Sequence, residues 1–537
     1  MVFLNKVLRI KFEARKLWLF GGKKASCQCD QHLKENEKCK NVAASPEDPI
    51  SLECTDFQPR VIILGAGIAG LSAAHHLIEH GCENVVLYEA TDKIGGRIQS
   101  NWLGDTSIDL GPNTINGCSI ANSFFNLVNR EDLLSTPLQR YDPDKCKFIS
   151  PDGRIFDDTS IPNDIFNKIL DQAANAQSSG KGYNATSIRD FISLRIQQEL
   201  LNYPDPMRYD AERMLFGMLN YVKNSTGAEI DNLSPSHFVA NKRIPGGDVR
   251  VDRGFSTVLS GLLSRIPRNN IKLNHRVRYV NWCPGKVPQV TVSCGHHHTD
   301  QANFLIIALP LGVLKRESKR MFTPELPEPK QRAIDVLGVG HINRIYLEYL
   351  HPWWAPEKLS MRIAWSPDEL IQWKTWAKGI GSIENAYNSN RVIMLTIGGK
   401  EAVELEKYTE IEVAIETTRF LRMIMNSRSI PYPNNICLSR WSTSEDTAGG
   451  RVYIPVGVSE TVIGCFQTSD SQLFPCGQIS PLLFAGEHTH DYYFGTLHGT
   501  RNSGLREANK ILRFAKENKH LLCGESSANE RCASNPC

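Results

Sequence analysis

The sequence lacks any long apolar run. The best candidate for a membrane-spanning segment, Phe304 to Leu314, is interrupted by Pro310 and falls short of the ~18 residues that such a helix needs. We therefore expect a soluble protein with no integral membrane segment. The chain also lacks a strong charge of either sign, because its formal charge is +3 at pH 7 and its basic residues are spread along the sequence. Nucleic acid is accordingly not expected as a partner.

Paired CxxC motifs with zinc-like spacing are absent as well. The 15 cysteines are odd in number and scattered, which favours a reduced intracellular compartment over a disulfide framework. The run from His296 to His298 resembles a metal-binding patch, but it falls in a predicted hairpin turn. We interpret it as a solvated loop and expect no metal site.

The first twenty residues carry five basic side chains among apolar positions, which resembles a mitochondrial presequence. They also contain Glu13 and no serine, so an ordinary basic tail is the alternative. The last three residues, Asn535 to Cys537, do not form a peroxisomal Ser-Lys-Leu address. We expect a cytoplasmic protein, with the mitochondrion as the alternative.

A chain of 537 residues is too long for one simple core, so two interleaved domains are expected. Residues 23–56 are polar and aperiodic, so the basic and polar N-terminal tail, residues 1–56, is expected to be disordered. Apolar patterning elsewhere predicts strands and helices. The predicted strands are Arg60–Leu64, Val85–Tyr88, Val287–Val292, Phe304–Leu309, Asn343–Tyr349 and Leu482–Ala485, with strand-like sequence over Ile271–Trp282. The predicted helices are Leu71–His80, Ile188–Leu201, Ala211–Val222, Glu401–Asn426 and Leu497–Ala515.

A glycine-rich turn, Gly65-Ala66-Gly67-Ile68-Ala69-Gly70, joins the first predicted strand to the first helix. In such a turn the first glycine permits the bend, the second admits a pyrophosphate and the third allows close helix–strand packing. Glu89 closes the next strand, where a carboxylate accepts hydrogen bonds from a ribose 2′-OH. The unit predicts a buried parallel sheet of Rossmann type that binds a dinucleotide.

A second glycine turn, Gly95-Gly96-Arg97, follows at once. A guanidinium suits bidentate contact with phosphate, although a surface salt bridge would also explain Arg97. A nicotinamide enzyme gives no special reason for this extra turn, so FAD is the favoured cofactor.

Together these motifs resemble the flavin amine oxidase family, in particular its spermine oxidase and polyamine oxidase branch. The resemblance spans about residues 57–515 and is carried by VIILGAGIAGLSAAHHL, YEATDKIGGRI, DLGPNTING, IALPLGVLK, LGVGHINRIYLEY and LLFAGEHTHDYYFGTLHGTRNSGLREA. It implies an α/β fold in which a doubly wound, Rossmann-like FAD domain is interleaved with a mixed α+β substrate domain.

The resemblance also implies the cofactor contacts. Those around the ADP half and the loop that follows are Gly65, Ala66, Gly67, Ala69, Gly70, Glu89, Gly96, Arg97, Gly111 and Pro112. Val277 matches the position whose backbone meets the adenine, and Gly486, Glu487, Thr496 and Leu497 match the region near the ribityl chain and flavin ring. For Glu487 the alternative is a structural role, in which its carboxylate caps the N-terminus of the following helix.

Family chemistry transfers a hydride from the carbon beside an amine nitrogen to the flavin, which O2 reoxidises with formation of hydrogen peroxide, while the imine is hydrolysed. Trp441 falls where the family often places an aromatic residue near the ring, although a core role is equally open. His498 follows the family pattern and either lines the site or is a satisfied structural residue.

Two candidate catalytic positions depart from the family. Arg344 stands where the family usually has a lysine that reaches the flavin through a water, and arginine does not release its proton. Asn116 stands near where spermine oxidase-like proteins tend to have a histidine, and an amide cannot change its charge. Both make substrate choice and reaction with O2 open questions.

The expected function is therefore oxidation of polyamines, either spermine and spermidine or their acetylated forms, by a monomer or weak homodimer whose partners are a small amine and O2. The alternatives are a flavin-binding protein with impaired or lost oxidase activity and an oxidase of another amine.

The resemblance also implies the bounds of the two domains. The expected FAD-binding segments are 57–125, 236–312 and 439–515. The expected substrate segments are 126–235 and 313–438, with polar tails at 1–56 and 516–537.

Overall fold

A computed structural model describes residues 50–53, 56–135, 138, 140–141, 146–178, 186–283, 289–295, 298–354, 359–468 and 479–518. Most of the two predicted tails, together with His296 and His297, lies outside these residues. The strands are β1 Val61–Leu64, β2 Val85–Tyr88, β3 Ser100–Leu103, β4 Thr106–Asp109, β5 Ile115–Asn116, β6 Arg140–Tyr141, β7 Lys147–Ile149, β8 Ile155–Phe156, β9 Asp248–Val249, β10 Ile271–Lys272, β11 Tyr279–Trp282, β12 Val290–Ser293, β13 Thr299–Ala302, β14 Phe304–Ile307, β15 Phe322–Thr323, β16 Gly338–Gly340, β17 Ile342–Glu348, β18 Ser360–Ile363, β19 Ile380–Asn385, β20 Val392–Gly398, β21 Asn435–Leu438, β22 Arg451–Tyr453 and β23 Leu482–Phe484. The helices are α1 Ile68–Glu79, α2 Ser123–Arg130, α3 Ser160–Ser178, α4 Ile188–Leu200, α5 Asp205–Thr226, α6 Ser236–Ala240, α7 Leu259–Leu263, α8 Leu311–Met321, α9 Glu328–Val336, α10 Pro367–Gln372, α11 Lys400–Leu405, α12 Glu410–Ile424 and α13 Leu497–Glu517.

A five-stranded parallel sheet, in the order β10-β2-β1-β14-β23, draws its strands from distant parts of the chain. Its central strand β1 is apolar at every position because both faces of the sheet are covered. Val61 and Ile63 belong to one core, and Ile62 and Leu64 belong to another. Parallel pairing places the loops that follow β1, β2, β14 and β23 at one edge, where this class of sheet binds ligands.

The two faces of this sheet are covered differently. Helices α1 and α13 lie on the first face and approach each other closely, since a Cβ at Gly504 of α13 would lie 2.2 Å from the carbonyl oxygen of Ala69 in α1. The second face packs against the antiparallel strands β11 to β13 and helices α8 and α9, whose apolar side chains share its core. The predicted hairpin around residues 295–299 is confirmed by the pairing of β12 with β13.

A second, seven-stranded sheet has the order β21-β17-β20-β19-β18-β7-β8 and is antiparallel except where β18 meets β7. Its long strand β17 alternates between two environments, as a strand between two layers must. Ile345 and Leu347 lie in the core shared with α12, whereas Tyr346 packs with Leu103 and Ile108 of the β3–β4 hairpin. The alternation directs Arg344 towards the same side as Tyr346.

Two predicted elements differ from the structure. The helix expected over Glu401–Asn426 is two helices, α11 and α12, because Thr409 and Glu412 form a reciprocal capping box that starts a new helix. The strand-like stretch Ile271–Trp282 is divided between β10 and β11, which belong to different sheets. Asn274 between them has a φ of +57°, a left-handed conformation that interrupts an extended chain.

Across the part of the chain that the structure describes, no helix combines the length and the apolar character needed to cross a bilayer.

Replacement of Gly504 by alanine tests the contact between α1 and α13. The added methyl group would lie 2.2 Å from the carbonyl oxygen of Ala69, so overpacking should outweigh the helix propensity gained and destabilise the protein by about 1–3 kcal/mol. Urea unfolding measures the loss. Gly464→Ala is the matched control, because a Cβ there would meet Asp491 Oδ1 at 3.6 Å; an equal effect of both variants would contradict the close approach.

Candidate active site

The turn between β1 and α1 has the geometry that each of its glycines requires. Gly65 has a φ of +98° and donates its amide to the Tyr88 carbonyl at 2.8 Å. A Cβ at Gly70 would lie 2.0 Å from the Gly65 carbonyl oxygen, so the start of α1 rests directly on the turn. Gly67 differs from both, since the nearest atom to its Cβ would be the Gly95 carbonyl oxygen at 4.0 Å. Space therefore remains beside Gly67 for a ligand.

The second glycine turn runs alongside the first. Gly95 donates its amide to the Ala66 carbonyl at 2.8 Å and pairs with Gly67 in a parallel bridge. Gly96 has a φ of +58°, and its Cβ would meet only the Gly67 Cα, at 3.6 Å. Helix α1 begins beside this space with neither a side-chain cap nor an acidic residue in its first turn. Its leading amides therefore favour an anion such as a pyrophosphate.

Glu89 lies where the predicted ribose contact should be. Its Oε2 accepts the Ala66 amide at 2.9 Å, and its Oε1 accepts the amide and hydroxyl of Thr91 at 3.0 and 2.9 Å. The residue is buried, with 8% of its surface exposed. Oε1 already accepts two hydrogen bonds, whereas Oε2 accepts one and keeps a lone pair for a ribose hydroxyl. The contact with Ala66 joins the acid to the glycine turn.

Val277 lies next to this acid, in the segment between β10 and β11. Its neighbour His275 donates its amide to the Glu89 carbonyl at 2.8 Å. Val277 is buried, and its own backbone amide and carbonyl have no hydrogen-bond partner among the described residues. Because buried backbone groups are normally paired, this position fits the expected contact with an adenine.

Arg97 and Glu487, predicted cofactor contacts 390 positions apart, form an ion pair. Arg97 Nη1 lies 2.9 Å from Glu487 Oε1 and also donates to the Gly450 carbonyl at 2.6 Å. Glu487 Oε2 accepts the Val452 amide at 3.0 Å. The capping alternative for Glu487 is wrong, because Thr496 caps α13 by accepting the Gly499 amide at 3.0 Å.

The loop before α13 supplies the remaining C-terminal positions. Gly486 has a φ of +136° and donates its amide to Ser503 Oγ at 2.8 Å. Leu497, the first residue of α13, packs against the same core as α1. These positions therefore belong to the layer that carries the glycine turn.

Arg344 and Trp441 both bind the loop that contains Gly111 and Pro112. Arg344 Nη2 donates to Asn113 Oδ1 at 2.9 Å, and the Trp441 indole donates to the Leu110 carbonyl at 3.3 Å. A Cβ at Gly111 would lie 1.8 Å from the Arg97 carbonyl oxygen, so the same loop touches the second glycine turn. Two predicted catalytic side chains thus bind the loop that contains two predicted cofactor positions. Arg344 Nε is buried without a partner among the described atoms.

Two residues at this loop were not predicted from the sequence. The Tyr346 hydroxyl donates to the Asp109 carbonyl at 2.6 Å, and burial raises its pKa to about 12. Burial also raises the pKa of the Asp109 carboxyl, while the nearby Arg344 opposes that shift. The two-residue period of β17, which puts Tyr346 beside Arg344, was the available signal.

His498 has the contacts of a satisfied structural residue. Its Nδ1 accepts the Ser123 amide at 2.9 Å, and its Nε2 lies 3.0 Å from the Asn502 side-chain amide. Burial lowers its pKa to about 4, assisted by the positive charge of Arg501. The imidazole is therefore neutral at pH 7, and because Nδ1 accepts from Ser123 its proton lies on Nε2, beside Asn502.

Asn116, like His498, is a predicted catalytic residue that the described contacts do not bring to Arg344. It is exposed in β5 and donates its amide to Asp248 Oδ2 at 2.8 Å. The pKa of the Asp248 carboxyl is raised by burial, and the hydrogen bond from Asn116 offsets part of that rise.

Comparison with known families decides the identity of this arrangement. The sequence model of the family described as "Flavin containing amine oxidoreductase" matches residues 68–512. The chain belongs to that family. It is an FAD-dependent amine oxidoreductase whose substrates are a small-molecule amine and an electron acceptor. The expected resemblance and the expected cofactor are confirmed.

Curated relatives of this chain align over nearly their whole length. Protein anon-37Cs of Drosophila melanogaster is 27% identical over 90% of this chain and 96% of its own. The human peroxisomal N(1)-acetyl-spermine/spermidine oxidase is 26% identical over 84% of this chain and 95% of its own. Polyamine oxidase 1 of Zea mays is 25% identical over 86% and 91%, respectively.

The expected fold class is confirmed by solved structures of a flavin amine oxidoreductase. Wild-type putrescine oxidase bound to putrescine superposes with a TM-score of 0.63 at 16% identity, over 85% of this chain and 99% of that chain. A double mutant of putrescine oxidase gives a TM-score of 0.64 at 17% identity over the same shares.

Gly67→Ala tests whether this family member holds FAD beside its first glycine turn. Since the nearest atom to the new methyl group would be 4.0 Å away, the apoprotein should retain its melting temperature. FAD affinity should nevertheless fall by at least about tenfold, because the methyl group occupies the space that a pyrophosphate needs. Flavin fluorescence titration of the apoprotein measures the affinity. Unchanged FAD affinity would remove the pyrophosphate from this position.

Proposed function

We propose that this amine oxidoreductase oxidises polyamines, spermine and spermidine or their acetylated forms, and passes the electrons to O2 with formation of an aldehyde, a shorter amine and hydrogen peroxide. The observation that carries the proposal is the near full-length alignment with proteins named for acetylated-polyamine and polyamine oxidation. The fold shared with a putrescine oxidase supports the same substrate class.

The described residues fit the FAD that this reaction requires. Gly67, Gly96 and the first amides of α1 would hold the pyrophosphate, and Glu89 would bind the ribose. Arg97 and Glu487 form an ion pair that joins the segment after β2 to the segment after β23, and both segments would border the FAD. Bound flavin supplies the electron acceptor for the amine carbon.

In our proposal the loop of residues 109–113 positions the chemistry for this cofactor. Arg344, Tyr346 and Trp441 all donate hydrogen bonds to that loop and limit its movement. Arg344 also keeps a permanent positive charge there, which favours anionic oxygen species and cannot serve as a proton donor. Trp441 is 7% exposed and would help to exclude water from the reacting carbon.

We also propose the domain bounds, the cellular compartment and the oligomeric state that are expected from the sequence. The segments 57–125, 236–312 and 439–515 would form the FAD domain, which agrees with the origins of the five parallel strands. The segments 126–235 and 313–438 would form the substrate domain around the seven-stranded sheet. We propose a cytoplasmic monomer or weak homodimer, with the mitochondrion as the alternative compartment.

Anaerobic reduction of the bound flavin tests the substrate class. Spermine, spermidine or an acetylated form should bleach the flavin absorbance at least about tenfold faster than a simple monoamine, because only the longer amines use the whole site. Stopped-flow absorbance measures the rates, and readmission of air with a peroxide assay tests the acceptor. Bleaching by monoamines alone would reassign the substrate, and bleaching by no amine would favour a flavin-binding protein without oxidase activity.

Arg344→Lys tests the assigned place of the arginine. A lysine that can release its proton should accelerate reoxidation of the reduced flavin by O2 at least about tenfold, with little change in the anaerobic reduction rate. Arg213→Lys is the control, since Arg213 is a buried arginine outside the proposed site that pairs with Glu369 at 2.6 Å. If Arg344→Lys retains its flavin and reoxidises at the wild-type rate, Arg344 does not act on this step.

A further inference from the structure

The C-terminal end of α1 gathers three side chains that the proposed oxidation does not use. His76, Glu79 and His80 follow one another at helical spacing in the segment HLIEH. Their nearest donor atoms all lie within 4.8 Å of one another. The two imidazole rings are 4.1 Å apart between centroids. Positions i, i+3 and i+4 of a helix share one face, so the backbone itself holds the set together.

The hydrogen bond of His80 settles which of its nitrogens faces outwards. Its Nδ1 lies 2.8 Å from the His76 carbonyl oxygen. A carbonyl oxygen only accepts, so Nδ1 carries the proton and Nε2 presents a lone pair. Metal-binding histidines are held in this way, with one nitrogen on a carbonyl and the other on the ion.

Glu79 forms no direct ion pair with a lysine or arginine among the described residues, although Arg501 acts on it from a greater distance. Among the described residues its sole charged partner within 4 Å is His75, whose Nε2 lies 3.6 Å from Glu79 Oε2. The His75 Nδ1 lies 3.0 Å from the Leu262 carbonyl. By the same reasoning the neutral ring directs a lone pair at the carboxylate and donates nothing to it. The carboxylate therefore lacks a hydrogen-bond donor and is available to a cation.

Asn509 of the neighbouring helix α13 orients the second imidazole. Its Oδ1 lies 2.8 Å from the Nε2 of His76, and since an amide oxygen only accepts, Nε2 carries the proton and Nδ1 presents the lone pair. Two imidazoles and a carboxylate form a mixed nitrogen and oxygen set, which suits Zn²⁺ better than the oxygen-preferring Ca²⁺ or Mg²⁺. A tetrahedral Zn²⁺ site has ligand atoms about 3.3 Å apart, which small side-chain rotations from the present spacing would reach.

We propose that His76, Glu79 and His80 form a structural binding site for a divalent transition metal, Zn²⁺ in the first instance, with water as the fourth ligand. The hydrogen bond from His76 to Asn509 connects the site at the end of α1 to α13. It also steadies the segment before β1, since the Leu52 amide donates to the His80 carbonyl at 2.8 Å. The site stabilises the layer that carries the glycine turn and takes no part in the oxidation. The sequence was expected to contain no metal site because its most evident histidine cluster, His296 to His298, falls in a hairpin turn; the helical spacing of HLIEH is the sequence signal for the site.

Metal content of untagged, FAD-loaded protein tests the proposal. After treatment with EDTA and dialysis against micromolar Zn²⁺, the enzyme should hold one Zn²⁺ per chain and melt several degrees higher than the metal-free form. His80→Gln and Glu79→Gln should each lower Zn²⁺ affinity at least tenfold while the flavin spectrum stays unchanged. Failure of the wild-type protein to retain Zn²⁺ would overturn the site.

The variant H296Q/H297Q/H298Q is the matched control, because the hairpin is the competing histidine-rich region. It should bind Zn²⁺ as the wild-type protein does. Loss of the ion in this variant, with retention in His80→Gln, would move the metal to the hairpin and overturn the proposal. X-ray absorption at the zinc edge supplies a second measurement: nitrogen and oxygen neighbours near 2.0–2.1 Å are expected, whereas a sulfur neighbour near 2.3 Å would assign the ion to cysteines.

Discussion

The close approach of backbone to backbone at the glycine turn is the constraint on which the rest of this structure depends. Helix α1 can begin against the Gly65 carbonyl only because Gly70 has no side chain. The same helix lies against α13 only because Gly504 has none. These two contacts bring the N-terminal ends of α1 and α13 to the edge where the parallel strands end. The leading amides of α1 then face a space bordered by Gly67 and Gly96.

A few polar contacts between distant segments of the chain complete the border of this space. Arg97 and Glu487 neutralise each other with little exposure to solvent, and each also binds a backbone group next to or within β22. Breaking such a partly buried pair leaves one charge uncompensated, which costs more than an exposed pair is worth. The pair therefore holds together segments that the sequence separates by several hundred residues. A cofactor that spans both would reinforce the same arrangement.

Arg344 is the residue of the proposed site at which the sequence departs from the lysine expected of the family. Its guanidinium donates to Asn113 and lies near the buried carboxyl of Asp109. An arginine side chain holds its proton where a lysine can release it, so the proposed site has a fixed positive charge. That charge should affect substrate binding and electron transfer to oxygen in different ways, since an amine reacts in its neutral form and reduced oxygen species are anionic.

The glycine spacing, the acid after the second strand and the family motifs were enough to determine, from the sequence alone, the parallel sheet, FAD and the amine oxidoreductase family. These features are local or are shared by the whole family, so periodicity and motif spacing carry them. The capping box of Thr409 and Glu412, which separates α11 from α12, is also a local feature of the sequence. The sequence nevertheless predicted one helix, because the apolar pattern continues across the break. The tertiary structure alone decided which distant side chains meet: Arg97 with Glu487, Arg344 with Asn113, and Asn509 with the HLIEH segment. Side chains hundreds of residues apart share no periodicity, and their contact depends on the packing of whole layers, which no local pattern records.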